Sequence, residues 1–263
     1  ISSRSSVLSA MIMVPNSLGP GELLIQYGTD QQKNKYLPEL ASGKAIPAFA
    51  LTSPWAGSDA SSIPDVGIIC KQKWEGKETL GLKLNWDKRY ITLAPICTVL
   101  GLAFKAYDPD KLIGENIDLG ITCALIPAKH PGVEIGNRHM PLTVQWPNGP
   151  TRGKDVFIPL SFVIGEREGI GNGWRMLMEC LSAGRAISLP SSNAGIAQLV
   201  SKSVGAYSKI RNQFKLPISQ FEGISEKLGK IAVNTFLIDA TRKLAASAID
   251  SGHKPSVISA IAK

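Results

Sequence analysis

The chain has 263 residues, a mass of 28.1 kDa and a formal net charge of +8. Apolar residues make up 44% and charged residues 19% of the sequence, a composition that indicates a globular protein and argues against a disordered or fibrous chain. No segment approaches the roughly 18 consecutive apolar residues of a transmembrane helix. Residues 1–15 lack the pattern of a signal peptide, and we expect a cytoplasmic protein.

The four cysteines and three histidines predict no metal site. The cysteines lie far apart, they form no C-x-x-C pair, and the histidines have no ligand spacing. Scattered cysteines are typical of a reducing compartment, where they pack as small apolar residues. The cysteines are Cys70, Cys97, Cys123 and Cys180.

Most of the net positive charge, +6 of +8, lies in residues 166–263. A basic surface can attract nucleic acid, an anionic membrane or a phosphate-bearing small molecule. The sequence has no run of Lys or Arg longer than two and no basic stripe interleaved with aromatic residues. We therefore predict no nucleic-acid partner and favour a phosphate-rich ligand or plain surface charge.

Residues 1–45 are predicted to form the end of an N-terminal helical domain. Pro20 can open a short helix, because its fixed φ suits the first turn, and Gly28 can end that helix. Thr29 and Gln32 have the spacing of a capping box at the start of a second helix. We expect this domain to begin before the first residue of the chain.

Residues 46–165 are predicted to form a central antiparallel β-barrel or sandwich domain. Short segments rich in Val, Ile, Thr and aromatic residues alternate with turns that contain Gly and Pro. This pattern is typical of an all-β domain and not of a βαβ array. The predicted strands include Thr79–Trp86, Tyr90–Leu93, Leu119–Ile126, Gly132–Gly136 and Lys154–Ile164.

Residues 166–263 are predicted to begin a C-terminal helical bundle and leave it incomplete. Apolar residues return at helical spacing from Gly173, and a long helix is expected from about Ile224 to Gly252. The helix that follows is too short to bury an apolar face by itself, and we expect the chain to be a piece of a larger α+β protein. The side chains expected to face inward from the long helix are Leu228, Ile231, Ala232 and Leu237.

The stretch Ala50–Asp59 combines turn residues with two hydroxyl groups. Its Pro and Gly residues indicate a strand that runs into a surface loop. The hydroxyls of Thr52 and Ser58, together with backbone N–H groups exposed by glycine, also suit hydrogen bonding to a heterocycle or a phosphate.

Four other stretches are weaker signals. Residues 169–173 form a Gly-x-Gly-x-Gly loop that lacks the spacing and the βαβ setting of a dinucleotide-binding turn, which favours a flexible entry into a helix. Thr92 places a hydroxyl at the end of a strand. Arg185 lies in an otherwise apolar helix, where it can snorkel or pair with a carboxylate. Arg211 follows a helix end, where an arginine can hold a pyrophosphate but is by default solvated.

Together these stretches resemble the acyl-CoA dehydrogenase family. The likeness runs from about Met13 to Lys263, and several blocks in the right order are more specific than any single motif. The sequence is most similar to the enlarged bacterial long-chain type. The blocks that carry this likeness are residues 13–21, 88–95, 148–156 and 173–177.

The resemblance implies FAD-dependent α,β-dehydrogenation of a fatty acyl-CoA to a trans-2-enoyl-CoA, the first step of fatty acid β-oxidation. In the family a glutamate removes the α-proton while the β-hydrogen leaves as hydride to the flavin, so the cofactor carries the difficult chemistry. The implied partners are fatty acyl-CoA, an electron-transfer flavoprotein or similar acceptor, and further subunits of a homodimer or homotetramer. Peripheral association with the inner membrane stays open, as do two alternatives, an acyl-CoA oxidase and a non-catalytic flavin- or CoA-binding relative.

By position, the resemblance also implies a flavin site and an acyl-CoA channel. Ser58 is expected where the flavin phosphate or the acyl-CoA approaches, and Arg211 and Phe214 are expected to reach the FAD of a neighbouring subunit. The residues implied at the flavin are Phe49, Leu51, Thr52, Ser58, Tyr90, Thr92, Arg211 and Phe214, and those implied at the acyl-CoA are Ser58, Trp174, Ser182 and Arg185.

Three residues depart from the family pattern. Trp55 replaces the small or acidic residue usual in the Ser/Glu-Pro-x-Ala-Gly-Ser-Asp signature, and Tyr90 stands where many relatives have a tryptophan beside the flavin. Gly184 occupies the position at which one branch of the family places its catalytic glutamate, and glycine has no carboxylate. We therefore expect the catalytic glutamate beyond Lys263 and no turnover by these residues alone.

Overall fold

The computed structural model describes residues 1–13, 19–253 and 255–263, without the side chains of Ser182, Ala183 and Arg185. The chain divides into two compact units. The sheet unit contains Met11–Cys180, and the helical unit contains Ile1–Ala10 together with Leu181–Lys263. Among the described residues, no helix is long and apolar enough to cross a membrane, and no cluster of His, Cys, Asp or Glu could hold a metal ion.

The sheet unit is built on a seven-stranded mixed sheet, and the predicted α+β class is confirmed. The strand order is β1-β4-β2-β3-β7-β6, and β5 pairs with β4. The strands are β1 (Pro47–Ala50), β2 (Val66–Trp74), β3 (Lys77–Thr92), β4 (Val99–Tyr107), β5 (Asp118–Pro127), β6 (Val133–Ile135) and β7 (Asn148–Pro159).

Two pairings at β4 differ from the predicted antiparallel arrangement. β1 pairs with the first half of β4 and β2 with its second half, both in parallel, while β5 pairs antiparallel along the whole of β4. Because a strand has only two edges, β1 and β2 share the edge that β5 leaves free and lie end to end along it. The chain leaves the sheet between them, over residues 51–65, and returns to the same edge in the same direction. This excursion carries the predicted flavin loop.

Several predicted strands change their bounds in the structure. Leu119–Ile126 and Gly132–Gly136 are confirmed within one residue, by β5 and β6. The two predicted strands between Thr79 and Leu93 form the single strand β3, because the chain continues through a register shift instead of a turn. The predicted strand Lys154–Ile164 is placed too far along the chain, since β7 begins at Asn148 and ends at Pro159.

The core of the sheet unit is centred on β4. Its first six residues, Val99–Phe104, are all buried. A strand covered on both faces reads as a continuous apolar run, so β4 lacks the alternation that marks a half-exposed strand. Leu100, Leu102 and Phe104 belong to one buried cluster with Leu82 and Leu84 of β3 and Ile158 of β7.

Short helices flank the sheet in sequence: α2 (Pro20–Tyr27), α3 (Asp30–Ala41), α4 (Glu166–Gly169) and α5 (Gly173–Ala183), the last of which runs slightly beyond the unit. The predicted capping box is confirmed. The N–H of Gln32 donates to Thr29 Oγ1 at 3.3 Å, and Gln32 Oε1 accepts from the N–H of Thr29 at 3.1 Å.

The helical unit contains most of α1 (Ser6–Met13), then α6 (Leu189–Ile210), α7 (Glu222–Asp250) and α8 (Ser256–Ala262). The prediction for the inward face of α7 is wrong at Ala232 and Leu237, which are exposed, whereas Leu228 and Ile231 are half-buried. Apolar residues occur on every side of α7, and a helix of that kind has no single face that its periodicity could select.

Candidate functional site

The candidate site lies at the end of β3, where the backbone is irregular. The register between β3 and β7 shifts between Lys88 and Ile91. Tyr90 has a φ of 59° and Leu93 a φ of 67°, in the left-handed region that residues other than glycine rarely adopt. Such conformations persist where the surroundings hold them, and they cluster at ligand sites.

The loop that follows β1 is tied to this corner by two consecutive residues of β3. Lys88 Nζ donates to the carbonyl oxygen of Leu51 at 2.8 Å, and the N–H of Arg89 donates to that of Thr52 at 3.1 Å. Arg89 Nη2 donates to the carbonyl oxygen of Pro54 at 3.1 Å. The hydroxyl of buried Ser53 accepts hydrogen bonds from the N–H groups of Trp55 and Ala56. The start of the excursion is therefore held in one conformation.

Lys88 is fully buried beneath this loop and forms an ion pair with Asp65 at 2.5 Å. The other carboxylate oxygen of Asp65 accepts from the N–H of Asp87 at 2.9 Å. Burial lowers the pKa of Lys88, and the neighbouring Asp65 opposes that shift. The ion pair thus joins the two ends of the excursion, because Asp65 is its last residue and Leu51 its first.

Asn148 connects β7 to the irregular end of β3. Its Nδ2 donates to the carbonyl oxygen of Tyr90 at 3.0 Å and to Thr92 Oγ1 at 3.4 Å. Since Thr92 Oγ1 accepts from Asn148, the proton of its hydroxyl points elsewhere and can be donated to a ligand.

Buried polar atoms without a partner concentrate around Tyr90. In the described part of the chain five buried side-chain polar atoms have no hydrogen-bond partner. One of them, on Asp65, belongs to the ion pair with Lys88. Three others belong to neighbours of Tyr90: Arg89 and Asn148, and His139, whose ring centroid lies 5.2 Å from that of Tyr90. The four atoms other than that of Asp65 are Arg89 Nε, His139 Nδ1, Asn148 Oδ1 and, on a residue outside these three neighbours, Trp146 Nε1.

Leaving a buried polar atom without a partner costs about 1–3 kcal/mol, and native proteins contain few of them. Their concentration at this corner is typical of a surface that a polar ligand completes. The ring of Tyr90 is 53% exposed at the same place and offers a flat face for stacking.

The ring of Phe49, on β1, lies against its partner residue on β4, which is a glycine. Phe49 pairs with Gly101, and a Cβ on that glycine would lie 2.5 Å from the phenylalanine ring. The absence of a side chain at Gly101 therefore makes the room that the ring of Phe49 occupies.

The structure brings part of the predicted site together. Leu51 and Thr52 lie beside the corner that carries Tyr90 and Thr92, through the hydrogen bonds from Lys88 and Arg89. Ser58 is exposed later in the excursion.

Trp174 is half-buried in the first turn of α5 within the sheet unit. The side chains of Ser182 and Arg185 lie outside the described residues, and so do residues 14–18 of the first block of the resemblance. Gly184 begins a π-helical turn, Gly184–Ser188, a wide turn that is frequent at functional sites.

Arg211 and Phe214 belong to the helical unit. Arg211 is the C-cap residue that directly follows α6. Phe214 lies in the turn of a small hairpin formed by β8 (Asn212–Gln213) and β9 (Leu216–Pro217). Phe214 is 88% exposed, and its ring lies edge-on to that of Phe221. Their expected role at the FAD of a neighbouring subunit stays a prediction.

Sequence reasoning did not assign a role to Lys88, Asp65, Asn148 or His139. One signal was present: Leu84, Trp86 and Lys88 alternate along β3, and all three are buried. A lysine at a core-facing position of a strand needs a partner in the interior. Asp65 and Asn148 lie far from it in sequence, and no local pattern marks them.

Two family models match the chain. The acyl-CoA dehydrogenase N-terminal domain matches residues 1–44, and the acyl-CoA dehydrogenase C-terminal domain matches residues 171–263. Together the two models cover about half of the chain, one before the strands of the sheet in sequence and one after them.

Curated relatives match either nearly the whole chain or a part of it. The 3-(aryl)acrylate reductase of Clostridium sporogenes is 33% identical over 100% of this chain and 65% of that protein. An acyl-CoA dehydrogenase of Bacillus subtilis is 32% identical over 95% of this chain and 60% of that protein. Protein HemX of Proteus mirabilis is 56% identical over 40% of this chain and 61% of that protein. The chain thus spans 60–65% of the length of these relatives.

Solved structures have the same fold. The FAD complex of PigA superimposes with a TM-score of 0.83 at 25% identity, covering 99% of this chain and 64% of that one. Butyryl-CoA dehydrogenase from Megasphaera elsdenii gives a TM-score of 0.77 at 27% identity, covering 99% of this chain and 63% of that one. Family models match the first and the last part of the chain, and relatives match it over nearly all of its residues. The chain therefore belongs to the acyl-CoA dehydrogenase family.

Proposed function

We propose that the protein, at its full natural length, is an FAD-dependent dehydrogenase that converts a fatty acyl-CoA to a trans-2-enoyl-CoA. The observation that carries this proposal is the corner around Tyr90, where partnerless buried polar atoms surround an exposed aromatic ring. Family membership adds the chemical class of ligand that such a corner would take.

The residues at the corner fit a flavin ring, which combines a flat aromatic surface with carbonyl oxygens, ring nitrogens and one N–H. Thr92 has a hydroxyl proton free to donate, and Arg89 Nε is a buried donor without a partner. Bound FAD would supply the capacity to accept the two electrons of the oxidation. In the proposed site Thr52 and Thr92 hydrogen-bond the ring, while Phe49, Leu51 and Tyr90 pack against it.

The acyl-CoA would approach along residues that the family resemblance implies. We assign Trp174, Ser182 and Arg185 to the acyl channel, and Ser58 to the approach of the flavin phosphate or the CoA. Arg211 and the exposed Phe214 are assigned to the FAD of a second subunit in a homodimer or homotetramer. No residue of this chain is assigned as the catalytic base, since Gly184 has no carboxylate at one of the two family positions.

The finer parts of the proposal are the enlarged long-chain type, a role in fatty acid β-oxidation, and an electron-transfer flavoprotein as acceptor. A cytoplasmic location with peripheral contact to the inner membrane completes it. A solved structure described as the electron transferring flavoprotein of Acidaminococcus fermentans has the same fold, with a TM-score of 0.77 at 25% identity.

A second candidate is the reverse reaction, reduction of an α,β-unsaturated acyl compound. It is favoured by two relatives, the 3-(aryl)acrylate reductase and the caffeyl-CoA reductase-Etf complex subunit CarC of Acetobacterium woodii, which is 30% identical over 98% of this chain and 64% of that protein. Both directions would use the same flavin and the same carbon atoms.

The test uses the protein at its full natural length, purified and examined by visible absorbance. We expect a bound flavin whose absorbance bleaches without oxygen when saturated acyl-CoAs of increasing chain length are added. The reductase would be favoured by two results together. No saturated acyl-CoA bleaches the flavin, and an enoyl-CoA or an arylacrylate reoxidises the flavin after chemical reduction. A protein that binds no FAD would contradict both candidates.

A further inference from the structure

The ion pair between Lys88 and Asp65 is an unusual feature for the interior of a small sheet. The side chain of Lys88 is fully buried and that of Asp65 almost so. Taking two charges out of water is costly, and an apolar pair of similar size is often no less stable. Stability of the core alone therefore does not account for a lysine at this position.

The position of the ammonium group indicates what the ion pair does. Lys88 Nζ carries three N–H donors, and besides pairing with Asp65 it donates to the carbonyl oxygen of Leu51 at 2.8 Å. The N–H of Arg89 holds the next carbonyl oxygen, that of Thr52, at 3.1 Å. Two adjacent carbonyls of the loop thus point into the protein, and the peptide N–H groups and the side chain of Thr52 are oriented with them.

We infer that Lys88 is a positioning residue, which Asp65 anchors and which fixes the segment Leu51–Pro54 so that Thr52 faces the ligand. The identity of the ligand as a flavin rests on the proposed function. The positioning of the loop does not depend on which ligand binds. Without the buried ammonium group, the first residues of the excursion lose the contact that sets their orientation.

The test removes both charges together, so that no unpaired charge stays buried. In the double variant Lys88→Met and Asp65→Asn, methionine keeps the length of the side chain without a donor, and asparagine keeps an acceptor for the N–H of Asp87. The matched control is Arg152→Met with Asp87→Asn. It removes the exposed ion pair of the same sheet, in which Arg152 Nε and Asp87 Oδ1 lie 3.1 Å apart.

In the protein at its full natural length, we expect the Lys88 double variant to unfold cooperatively and to bind FAD about tenfold more weakly, while the control binds like the parent. At saturating FAD, the fine structure of the visible flavin band should change in the Lys88 variant alone, which a general loss of stability would not cause. Amide hydrogen exchange at Ser53 and Arg89, whose N–H groups are hydrogen-bonded in this loop, should be faster. A folded Lys88 variant with unchanged FAD affinity, band shape and exchange would overturn the inference.

A measurement on the parent protein covers the case in which the double variant does not fold. The N–H of Ser53, which donates to the carbonyl oxygen of Ala56, and that of Arg89, which donates to that of Thr52, should exchange as slowly as the paired amides in the middle of β3. Exchange as fast as at the exposed turn Glu75–Gly76 would overturn the inference. If the parent binds no FAD, the proposed function fails, whereas the exchange rates of the parent and the double variant still decide whether Lys88 holds the loop.

Discussion

Asn148 Nδ2 donates to the carbonyl oxygen of Tyr90 at 3.0 Å, across the register shift between β3 and β7. At that shift the carbonyl of Tyr90 lacks the regular ladder pairing, because Lys88 and Ile91 are the last residues paired on either side of it. The asparagine side chain therefore replaces a strand partner and holds Tyr90 in its left-handed conformation.

Replacing Asn148 by alanine should destabilise the protein by about 1–3 kcal/mol, since the carbonyl of Tyr90 and the hydroxyl of Thr92 lose their donor inside the protein. Denaturant unfolding followed by circular dichroism measures the change. Gln72→Ala, at an exposed position of β2, is the control and should leave the denaturant concentration at the unfolding midpoint unchanged. Equal midpoints for both variants would show that Asn148 does not support the corner.

Replacing both Thr52 and Thr92 by valine should weaken FAD binding. Each hydroxyl would contribute roughly 0.5–1.5 kcal/mol through a hydrogen bond to the flavin, and valine keeps the shape without the donor. Fluorescence titration of the apoprotein with FAD gives the dissociation constant. Thr79→Val serves as the control, because its hydroxyl donates to the carbonyl of Lys77 at the far end of β3. FAD affinity unchanged in the double variant would count against both assignments.

Gly101→Ala should destabilise the sheet unit by about 1–3 kcal/mol, because its new methyl group would meet the ring of Phe49 at 2.5 Å and force ring or strand to move. Gly114→Ala is the matched control, since nothing lies within 4 Å of a Cβ built there. Thermal unfolding of the two variants compares them directly. A Gly101 variant as stable as the Gly114 variant would mean that Phe49 does not need the space.

The thiol of Cys97 should react slowly at neutral pH. Burial raises its pKa to about 11, and only the thiolate reacts with alkylating reagents, so the neutral form dominates until the pH approaches that value. At pH 8 we expect alkylation about a hundredfold slower than in the unfolded chain, and a rate that rises with pH up to about 11. Peptide mass spectrometry after iodoacetamide treatment follows the reaction, with the urea-unfolded protein as reference. A fast, pH-independent rate would contradict the burial of this thiol.

Local features of the sequence determined the helix boundaries near the start of the chain and the order of helical and β segments. Pro20 opens α2, and Thr29 and Gln32 cap α3 as their spacing predicts, because a cap involves atoms only three residues apart. The motif order also indicated the family, since its blocks are read along the chain and need no knowledge of packing.

Only the tertiary structure decided how the strands pair and what lies under the loop between β1 and β2. β1 and β2 share one edge of β4, and Lys88 meets both Asp65 and Leu51, through contacts between residues distant in sequence. The same holds for Asn148 and Tyr90, and for the face that α7 buries. Strand register and interior partners depend on which surfaces meet when the whole chain packs, and periodicity within one segment carries no information about that choice.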